Sequence, residues 1–233
     1  MDLTIFFPCY NDAPAIEALV RDAHAAAQSL ELDHEIIVVD DGSTDGASEI
    51  LSRLSQELPV LRTVSHESNG GYGAALRSGF KAAKGDLVFY TDGDGQYDPG
   101  ELKDLYRALG FDVEVVNGWK KSRQDPVYRI LLGRSYQAII RLIFGIRLRD
   151  PHCDFRMIRR SALEKIELTS NSASICVELV KKLQNTGARF KEVPVSHFSR
   201  KHGKSRFFGL SSVVSLALHL ACLWPGLVLF PKR

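Results

Sequence analysis

The chain has 233 residues, of which 45% are hydrophobic and 25% charged, a composition typical of one globular domain with a full core. Its 30 lysines and arginines nearly balance its 28 aspartates and glutamates, so bulk charge gives no reason to expect a nucleic-acid partner. The four cysteines lack the spacing of a metal site and the density of a disulfide framework, and are predicted to be reduced packing residues. No basic segment followed by a long apolar run opens the sequence, so no cleaved signal peptide is expected and the cytosol is the predicted compartment.

Apolar runs alternate with helical segments over the first half of the chain. The predicted strands are Leu3–Phe7, Glu35–Asp41, Val60–Val64, Leu87–Tyr90 and Val113–Val116. The predicted helices are Ala13–Leu30, Ala47–Glu57, a segment that follows the Gly-rich turn SNGGYG and ends at Gly85, and Glu101–Leu109. Alternation with short connections favours right-handed crossovers and a mostly parallel sheet flanked by helices, the α/β class.

Acidic turns follow three of the predicted strands, at Pro8–Asp12, Asp40–Asp45 and Asp92–Asp98. Aspartate and glycine are common in turns for backbone reasons, so one such turn alone indicates little. In parallel sheets, however, ligands bind beyond the carboxyl ends of the strands. Three acidic turns at that edge therefore predict a binding site there.

Two familiar motifs are excluded by their spacing. The stretch DGDGQYDPGELK has Tyr97 and Lys103 where a calcium-binding EF-hand loop requires glycine and glutamate, and DGSTDGASEILS has Ser52 at its last position. The dinucleotide fingerprint fails because Leu76 follows Gly71-Tyr-Gly73 where the third glycine should stand.

Asp92 and Asp94 remain as a pair of hard oxygen ligands directly after a strand. On an extended backbone a spacing of two points both side chains the same way, so both can approach one cation or a cation-bound diphosphate. Mg²⁺ or Mn²⁺ suits such a pair, because these ions complete their coordination with water and substrate phosphates. The predicted substrate is a nucleotide diphosphate conjugate.

Four motifs, FFPCYNDAPAI, VVDDGSTDG, NGGYGAALRSGFKAAKGD and YTDGDGQYDP, resemble in order and spacing the family 2 glycosyltransferases of the Rossmann-like GT-A fold. The branch they resemble contains dolichyl-phosphate mannosyltransferase and bacterial polyprenyl-phosphate glycosyltransferases. RDPHCDFRMIRRSAL and HFSRKHGKSRF extend the resemblance to about residue 208. It implies an inverting, metal-dependent enzyme that moves a hexose from a GDP- or UDP-linked sugar to a polyprenyl phosphate of the dolichyl or undecaprenyl type.

The resemblance also implies roles for individual residues. Those lining the nucleotide would be Pro8, Tyr10 and Asp12, with one or both of Asp40 and Asp41 holding the base or ribose. Those holding Mg²⁺ or Mn²⁺ and the diphosphate would be Asp92, the backbone of Gly93, Asp94 and Gln96, with Lys120 where relatives often carry arginine. Those clamping phosphates from the late basic segment would be Arg200, Lys204 and Arg206. The acceptor phosphate would be held by Arg134 and Ser135.

The acceptor decides the mechanism. Transfer to a hydroxyl requires a positioned general base, whereas a polyprenyl phosphate arrives as an anion and requires only positioning. Glu178 is the candidate base, although an exposed helix position is its simpler interpretation; Asp150 and Asp154 are expected on the acceptor side. Two alternatives stay open: a family 2 transferase acting on a saccharide or other hydroxyl, and a non-catalytic nucleotide-sugar-binding protein.

Two segments favour a lipid acceptor. Val127–Arg149 has apolar residues at helical spacing with five arginines and no acid, which is typical of a basic amphipathic helix at a membrane surface or anion site. Residues 208–230 carry no Asp, Glu, Lys or Arg and approach the ~20 residues of a membrane span. Polar residues recur every four positions there, at Ser211, Ser215 and His219.

This tail permits an interfacial helix, packing in a homo-oligomer or a span. Residues 1–207 are thus predicted to form the GT-A catalytic domain, and 208–233 a C-terminal apolar, amphipathic helix that associates with the membrane or oligomerises. The predicted location is the cytosolic face of a membrane, peripheral or anchored.

Overall fold

Seven strands form one sheet in this computed structural model, which describes residues 1–121, 127–200 and 210–231 apart from the side chains at 127–132, 134 and 210–213. The strands are β1 (Leu3–Cys9), β2 (His34–Asp40), β3 (Leu61–Ser65), β4 (Leu87–Thr91), β5 (Val115–Lys120), β6 (Phe155–Arg159) and β7 (Phe190–Val195). Their order is β3-β2-β1-β4-β6-β5-β7, and β6 runs antiparallel to both of its neighbours. The other pairings are parallel, so the predicted mostly parallel α/β sheet is confirmed.

Helices cover both faces of the sheet. They are α1 (Ala13–Gln28), α2 (Ala47–Glu57), α3 (Tyr72–Ala82), α4 (Leu102–Ala108), α5 (Val127–Phe144), α6 (Arg160–Leu163), α7 (Ile175–Asn185) and α8 (Leu210–Trp224). One apolar core lies between the sheet and α1, α2 and α4, and a second lies between the sheet and α3, α6 and α7. Because both faces are covered, every residue of β1 and β2 is buried, which explains why both strands are mainly apolar.

The later strands differ from the sequence prediction. The fifth strand begins at Val115 rather than Val113 and extends to Lys120, because Lys120 pairs with Val195 of β7. Strands β6 and β7 and the short helix α6 were not predicted. The four cysteines are unpaired and three of them are buried, as expected of packing residues.

A third layer joins α5 and α8 to the outer side of α7. Ile140 and Phe144 of α5 share an apolar cluster with Leu216 and Leu220 of α8 and with residues of α7. The indole nitrogen of Trp224 also donates to a carbonyl of α5, at 2.9 Å. A π-helical turn, Pro225–Leu229, follows α8. Within the described ranges, no helix is both long enough and apolar enough to cross a membrane.

Candidate active site

The three acidic turns meet at one edge of the sheet. Cys9 at the end of β1 pairs with Asp40 at the end of β2, and the amide of Asp41 donates to the carbonyl of Cys9 at 2.9 Å. Strand β4 lies parallel to β1 on its other side, so Asp92 emerges at the same edge. The predicted position of the acidic turns, beyond the carboxyl ends of parallel strands, is confirmed.

The loop after β2 is tied to the turn after β1. Asp40 is buried, and its Oδ1 accepts from the amide of Ser43 at 3.0 Å. Ser43 Oγ in turn accepts from the amide of Asn11 at 3.0 Å, and Asp45 Oδ2 accepts from the amide of Ala13 at 2.8 Å. These hydrogen bonds connect the two loops at this edge of the sheet.

Asp41 fixes the start of α3. Its Oδ1 accepts from the amide of Gly70 and its Oδ2 from the amide of Gly71, both at 2.9 Å, and His66 Nδ1 lies 2.6 Å from Oδ1. The carboxylate is therefore already satisfied by the protein. The role of Asp40 and Asp41 in holding a base or ribose stays a prediction.

The turn after β1 lies directly against the DGDGQ turn. A Cβ on Gly93 would lie 2.4 Å from the carbonyl oxygen of Pro8, so only glycine permits this approach. The amide of Tyr10 donates to Asp12 Oδ2 at 3.5 Å. Burial and the nearby charge of Asp94 raise the pKa of Asp12 above its ordinary value. Pro8, Tyr10 and Asp12 thus lie beside the acidic pair.

Asp92 is half-buried and held by a tyrosine. The hydroxyl of Tyr72 donates to Asp92 Oδ1 at 2.6 Å. Burial, together with the carboxylates of Asp154 and Asp94, raises the pKa of Asp92 well above its ordinary value. Burial also raises the pKa of Tyr72 well above its ordinary value, so this phenol stays a donor. Neighbouring negative charges at this point favour a bound cation.

Asp94 is turned toward a different partner. An ion pair joins its Oδ2 to the guanidinium of Arg200, and its Oδ1 accepts from the amide of Gln96 at 3.0 Å. Gln96 and Phe198 exchange two further hydrogen bonds, from the Phe198 amide at 2.8 Å and from Gln96 Nε2 at 2.9 Å. The segment after β7 is therefore fastened to the DGDGQ turn. The assumed extended backbone from Asp92 to Asp94 is wrong, because β4 ends at Thr91 and a turn follows.

Arg156 lies at the centre of a buried polar network behind Asp92. It is 0% exposed, and it donates to Asn117 Oδ1 and to the hydroxyl of Tyr90, each at 2.6 Å. That hydroxyl donates to Asp154 Oδ1 at 3.2 Å, and the Cys176 thiol donates to Asp154 Oδ2 at 3.4 Å. Each buried charge therefore has partners, as burial requires.

Neither Arg156 nor Tyr72 was singled out from the sequence. A signal existed for Arg156, a basic residue inside the otherwise apolar run Phe155–Ile158. For Tyr72 the only signal was its place in the Gly-rich turn before α3.

Lys120 adds positive charge to the same region. Its ammonium lies 3.5 Å from the carbonyl of His152 and 5.8 Å from the ring centroid of Tyr97. It is also close enough to Asp92 and Asp154 to favour their ionised forms. Lys120 thus lies near the acidic pair, as the resemblance implies.

The residues assigned to the acceptor are less closely joined to this group. Ser135 is exposed on α5, and the side chain of Arg134, one position earlier, is outside the described part of the chain. Gln137 Nε2 donates to the carboxylate of Asp150, which ties α5 to the segment before β6. Lys204 and Arg206 lie outside the described residues.

Glu178 is buried, so its interpretation as an exposed helix residue is wrong. Its side chain is 0% exposed, and its carboxylate accepts from the amides of Thr169 and Ser170, both at 2.9 Å, and from Lys182 at 2.7 Å. Burial alone would raise the pKa of Glu178, but the hydrogen bonds from Lys182 and Ser170 lower it below its ordinary value. Glu178 is thus a structural anchor for the loop before α7.

The donor set of the edge fits a hard divalent cation. No group of three or more His, Cys, Asp and Glu side chains with metal-binding geometry occurs in the described chain. The negative charges of Asp92 and Asp94 repel each other, and the guanidinium of Arg200 forms an ion pair with Asp94. Carboxylates in this number suit Mg²⁺ or Mn²⁺, which take their remaining ligands from water and phosphate oxygens.

The chain is similar in sequence to bacterial enzymes named as polyprenyl-phosphate sugar transferases and synthases. Over 225 residues the chain is 33% identical to undecaprenyl-phosphate 4-deoxy-4-formamido-L-arabinose transferase of Edwardsiella ictaluri, covering 95% of this chain and 67% of the relative. It is 30% identical over 224 residues to dodecaprenyl-phosphate galacturonate synthase of Rhizobium johnstonii, covering 94% of this chain and 65% of the relative. The chain thus spans about two thirds of the length of these curated relatives.

Among solved structures, glucosyl-3-phosphoglycerate synthase from Mycobacterium tuberculosis, in complex with Mn²⁺, UDP and glucosyl-3-phosphoglycerate, has the same fold. The TM-score is 0.72 at 20% identity, over 100% of this chain and 81% of that chain. Residues 4–167 match the family model described as glycosyl transferase family 2. The chain therefore belongs to glycosyl transferase family 2, a family of glycosyltransferases of the GT-A fold.

Proposed function

We propose that this protein is an inverting glycosyltransferase that moves a hexose from a UDP- or GDP-linked donor to a polyprenyl phosphate, with Mg²⁺ or Mn²⁺ bound at the acidic edge. The observation that carries the proposal is the carboxylate pair Asp92 and Asp94 beside the cationic Arg200, at the carboxyl edge of the sheet. The relatives that match nearly the whole chain are named as polyprenyl-phosphate sugar transferases, which supports the acceptor class.

On the donor side, Asp92, Asp94 and Gln96 would hold the metal ion. A bound ion would supply positive charge against the charge that develops on the departing nucleoside diphosphate. Arg200 and Lys120 bring positive charge to the same place, and Lys204 and Arg206 are proposed to add to it. Pro8, Tyr10 and Asp12 are proposed to line the nucleotide, and Asp40 or Asp41 its base or ribose.

On the acceptor side, the nucleophile is a phosphate oxygen that is already ionised. As its bond to the anomeric carbon forms, the bond from that carbon to the donor diphosphate breaks, and one displacement inverts the carbon. No proton has to be removed, so no general base is required.

The contacts of the buried carboxylates agree with this acceptor. Glu178 accepts hydrogen bonds from Thr169, Ser170 and Lys182, and Asp154 accepts from Tyr90 and Cys176, so the contacts of neither carboxylate single it out as a base for a hydroxyl acceptor. Arg134, assisted by Ser135, is proposed to hold the acceptor phosphate, because a guanidinium grips two phosphate oxygens at once.

The face formed by α5 and α8 is proposed to lie on the membrane. It exposes Ile139, Leu142 and Ile143 of α5, Val214 and Leu218 of α8, and Leu229 and Phe230 after it. Arg141 of α5 and Arg147 after it are also exposed, and 127–149 contain no acid. Exposed apolar residues together with arginines suit the interface of anionic lipids. We therefore place the protein peripherally on the cytosolic side, with 1–207 as catalytic domain and 208–233 as its membrane-associating helix.

The acceptor is tested by transfer of label. Purified protein is incubated with radiolabelled UDP- or GDP-hexoses, Mn²⁺ and undecaprenyl phosphate, and the product is extracted into organic solvent. The expected result is lipid-soluble label whose rate of formation falls about 100-fold in the Asp94→Asn variant. Label transferred instead to a soluble saccharide would establish a hydroxyl acceptor, and binding without turnover would indicate a nucleotide-sugar-binding protein.

The membrane face is tested by co-sedimentation with liposomes that contain phosphatidylglycerol. Leu142→Asp should reduce binding at physiological salt, since Leu142 is 85% exposed on the proposed face. Phe111→Asp is the matched control, because Phe111 is at least as exposed but lies between α4 and β5. If Leu142→Asp changes the oligomeric state and leaves liposome binding intact, the face is a contact between copies of the chain.

A further inference from the structure

The two carboxylates of the acidic pair are held by different parts of the chain. Asp94 is paired with Arg200 from the segment after β7. Asp92 accepts from the hydroxyl of Tyr72, at the first residue of α3, at 2.6 Å. Arg200 belongs to the phosphate-binding group already proposed, whereas nothing so far gives Tyr72 a part in the reaction.

The position of Tyr72 is fixed by the residues that precede it. Asp41 accepts from the amides of Gly70 and Gly71, both at 2.9 Å, and so holds the chain immediately before the tyrosine. Gly71 has a φ of +95°, a conformation that favours glycine. The buried carboxylate of Asp41, directly after β2, thus sets where α3 begins.

The residue that follows Tyr72 is fixed as closely. The amide of Gly73 donates to the carbonyl of Asn171 at 2.9 Å, and a Cβ on Gly73 would lie 2.3 Å from the carbonyl oxygen of Ser170. That loop is in turn anchored by Glu178, through the amide of Ser170 at 2.9 Å. Two buried acids, Asp41 and Glu178, therefore hold Tyr72 from both sides.

We infer that Tyr72 is a positioning residue for Asp92, the proposed metal-binding carboxylate. The Tyr72 hydroxyl donates a hydrogen bond to Asp92 Oδ1 and so fixes the side-chain rotamer in which Oδ2 is presented to the cation. This inference rests on the proposed function. The anchoring on both sides matters because a carboxylate torsion is broad and two-fold when nothing holds it. A ligand that is already oriented loses less conformational freedom when the metal and diphosphate bind. Phenylalanine would fill the same space without that hydrogen bond.

The test compares binding of UDP with Mn²⁺ and in EDTA by titration calorimetry, with GDP in parallel. Tyr72→Phe should raise the dissociation constant of the Mn²⁺-dependent complex about tenfold, the scale of a lost hydrogen bond to a charged acceptor, and leave metal-free binding unchanged. Tyr106→Phe is the matched control, since Tyr106 is a half-buried tyrosine of α4 packed against the other core. It should change neither constant.

A double-mutant cycle with Asp92→Ala, which removes both carboxylate oxygens, separates positioning from a general loss of structure. If Tyr72 acts through Asp92, Tyr72→Phe has no further effect once Asp92 is Ala, whereas independent effects would add. A Tyr72→Phe protein that keeps the full gain from Mn²⁺, or that loses metal-free and metal-dependent binding equally, overturns the inference. If the unmodified protein gains nothing from Mn²⁺ with either nucleotide, the proposed function fails first, and that result is seen before any variant is made.

Discussion

Asp94→Asn removes one negative charge from the proposed metal site with little change of shape. In the unmodified protein the amide of Gln96 donates to Asp94 Oδ1 at 3.0 Å. Asparagine keeps an oxygen that can accept this hydrogen bond, so the turn should persist. The lost charge faces Arg200 and would face the cation. Two unit charges ~4 Å apart interact by about 1 kcal/mol in water and about 4 kcal/mol near a protein surface.

The side chain of Asp94 is only 8% exposed, so the loss should lie in the upper half of that range. A loss of about 2.7 kcal/mol corresponds to a rate lower by about 100-fold, which is the size found when one main electrostatic contact is removed from an active site. We expect this fall in lipid-extractable product, with a higher Mn²⁺ concentration needed for half-maximal turnover.

Asp98→Asn is the matched control in the same turn. Asp98 is exposed, and its carboxylate accepts from the amide of Gly100 at 2.8 Å at the start of a short 3₁₀ turn. Its variant should retain turnover within a few-fold. Unchanged Mn²⁺ dependence in Asp94→Asn, or an equal loss in Asp98→Asn, would refute the metal role of Asp94.

Three further changes test other parts of the molecule. Glu178→Ala should lower the free energy of unfolding by about 3 kcal/mol at pH 7, because buried donors lose their acceptor. Since the pKa of Glu178 is lowered in the folded protein, its stabilisation is present above the ordinary carboxyl pKa and is lost as pH falls through the folded value, so urea unfolding should show a smaller difference at acid pH. Gly93→Ala should abolish Mn²⁺-dependent nucleotide binding, because the added methyl meets the carbonyl of Pro8, whereas Gly226→Ala meets nothing within 4 Å and should bind normally. Arg134→Ala should raise the apparent KM for polyprenyl phosphate about tenfold, with donor hydrolysis in the absence of lipid nearly unchanged.

Each of these has an outcome that contradicts it. A Glu178→Ala effect that is the same at pH 4 and pH 7 would mean that its carboxylate is not the source of stability. Normal nucleotide binding by Gly93→Ala would place the diphosphate away from the DGDGQ turn. If Arg134→Ala weakens donor binding while saturation by the lipid stays normal, Arg134 belongs to the nucleotide side.

The sequence by itself determined the central strands and the edge at which the acidic turns meet. The runs that became β1, β2 and β4 are mainly apolar because helices cover both faces, and such runs are visible without any tertiary information. The turns that follow them are acidic, and parallel strands necessarily end at one edge. The family motifs could therefore be placed around a binding site before the fold was known.

Only the tertiary structure decided where the strands that contain charged residues or proline, β6 and β7, lie in the sheet. Strand β6 contains Arg156, which is tolerated there because Tyr90 and Asn117, from two other strands, accept its hydrogen bonds. Strand β7 contains Pro194, which lacks an amide donor and is accommodated because β7 is an edge strand. Local patterns carry no record of such partners, so both strands were missed.

Partners from distant positions also explain why the burial of Glu178 and the hydrogen bond of Asp92 could not be predicted from the sequence. Glu178 has the spacing of an ordinary helix residue, but the loop of Thr169 and Ser170 folds over it and supplies donors. Asp92 is met by Tyr72 only because the Gly-rich turn before α3 lies beside the end of β4. A buried charge is stable only with its partners present, and those partners come from distant positions that the folded chain alone brings together.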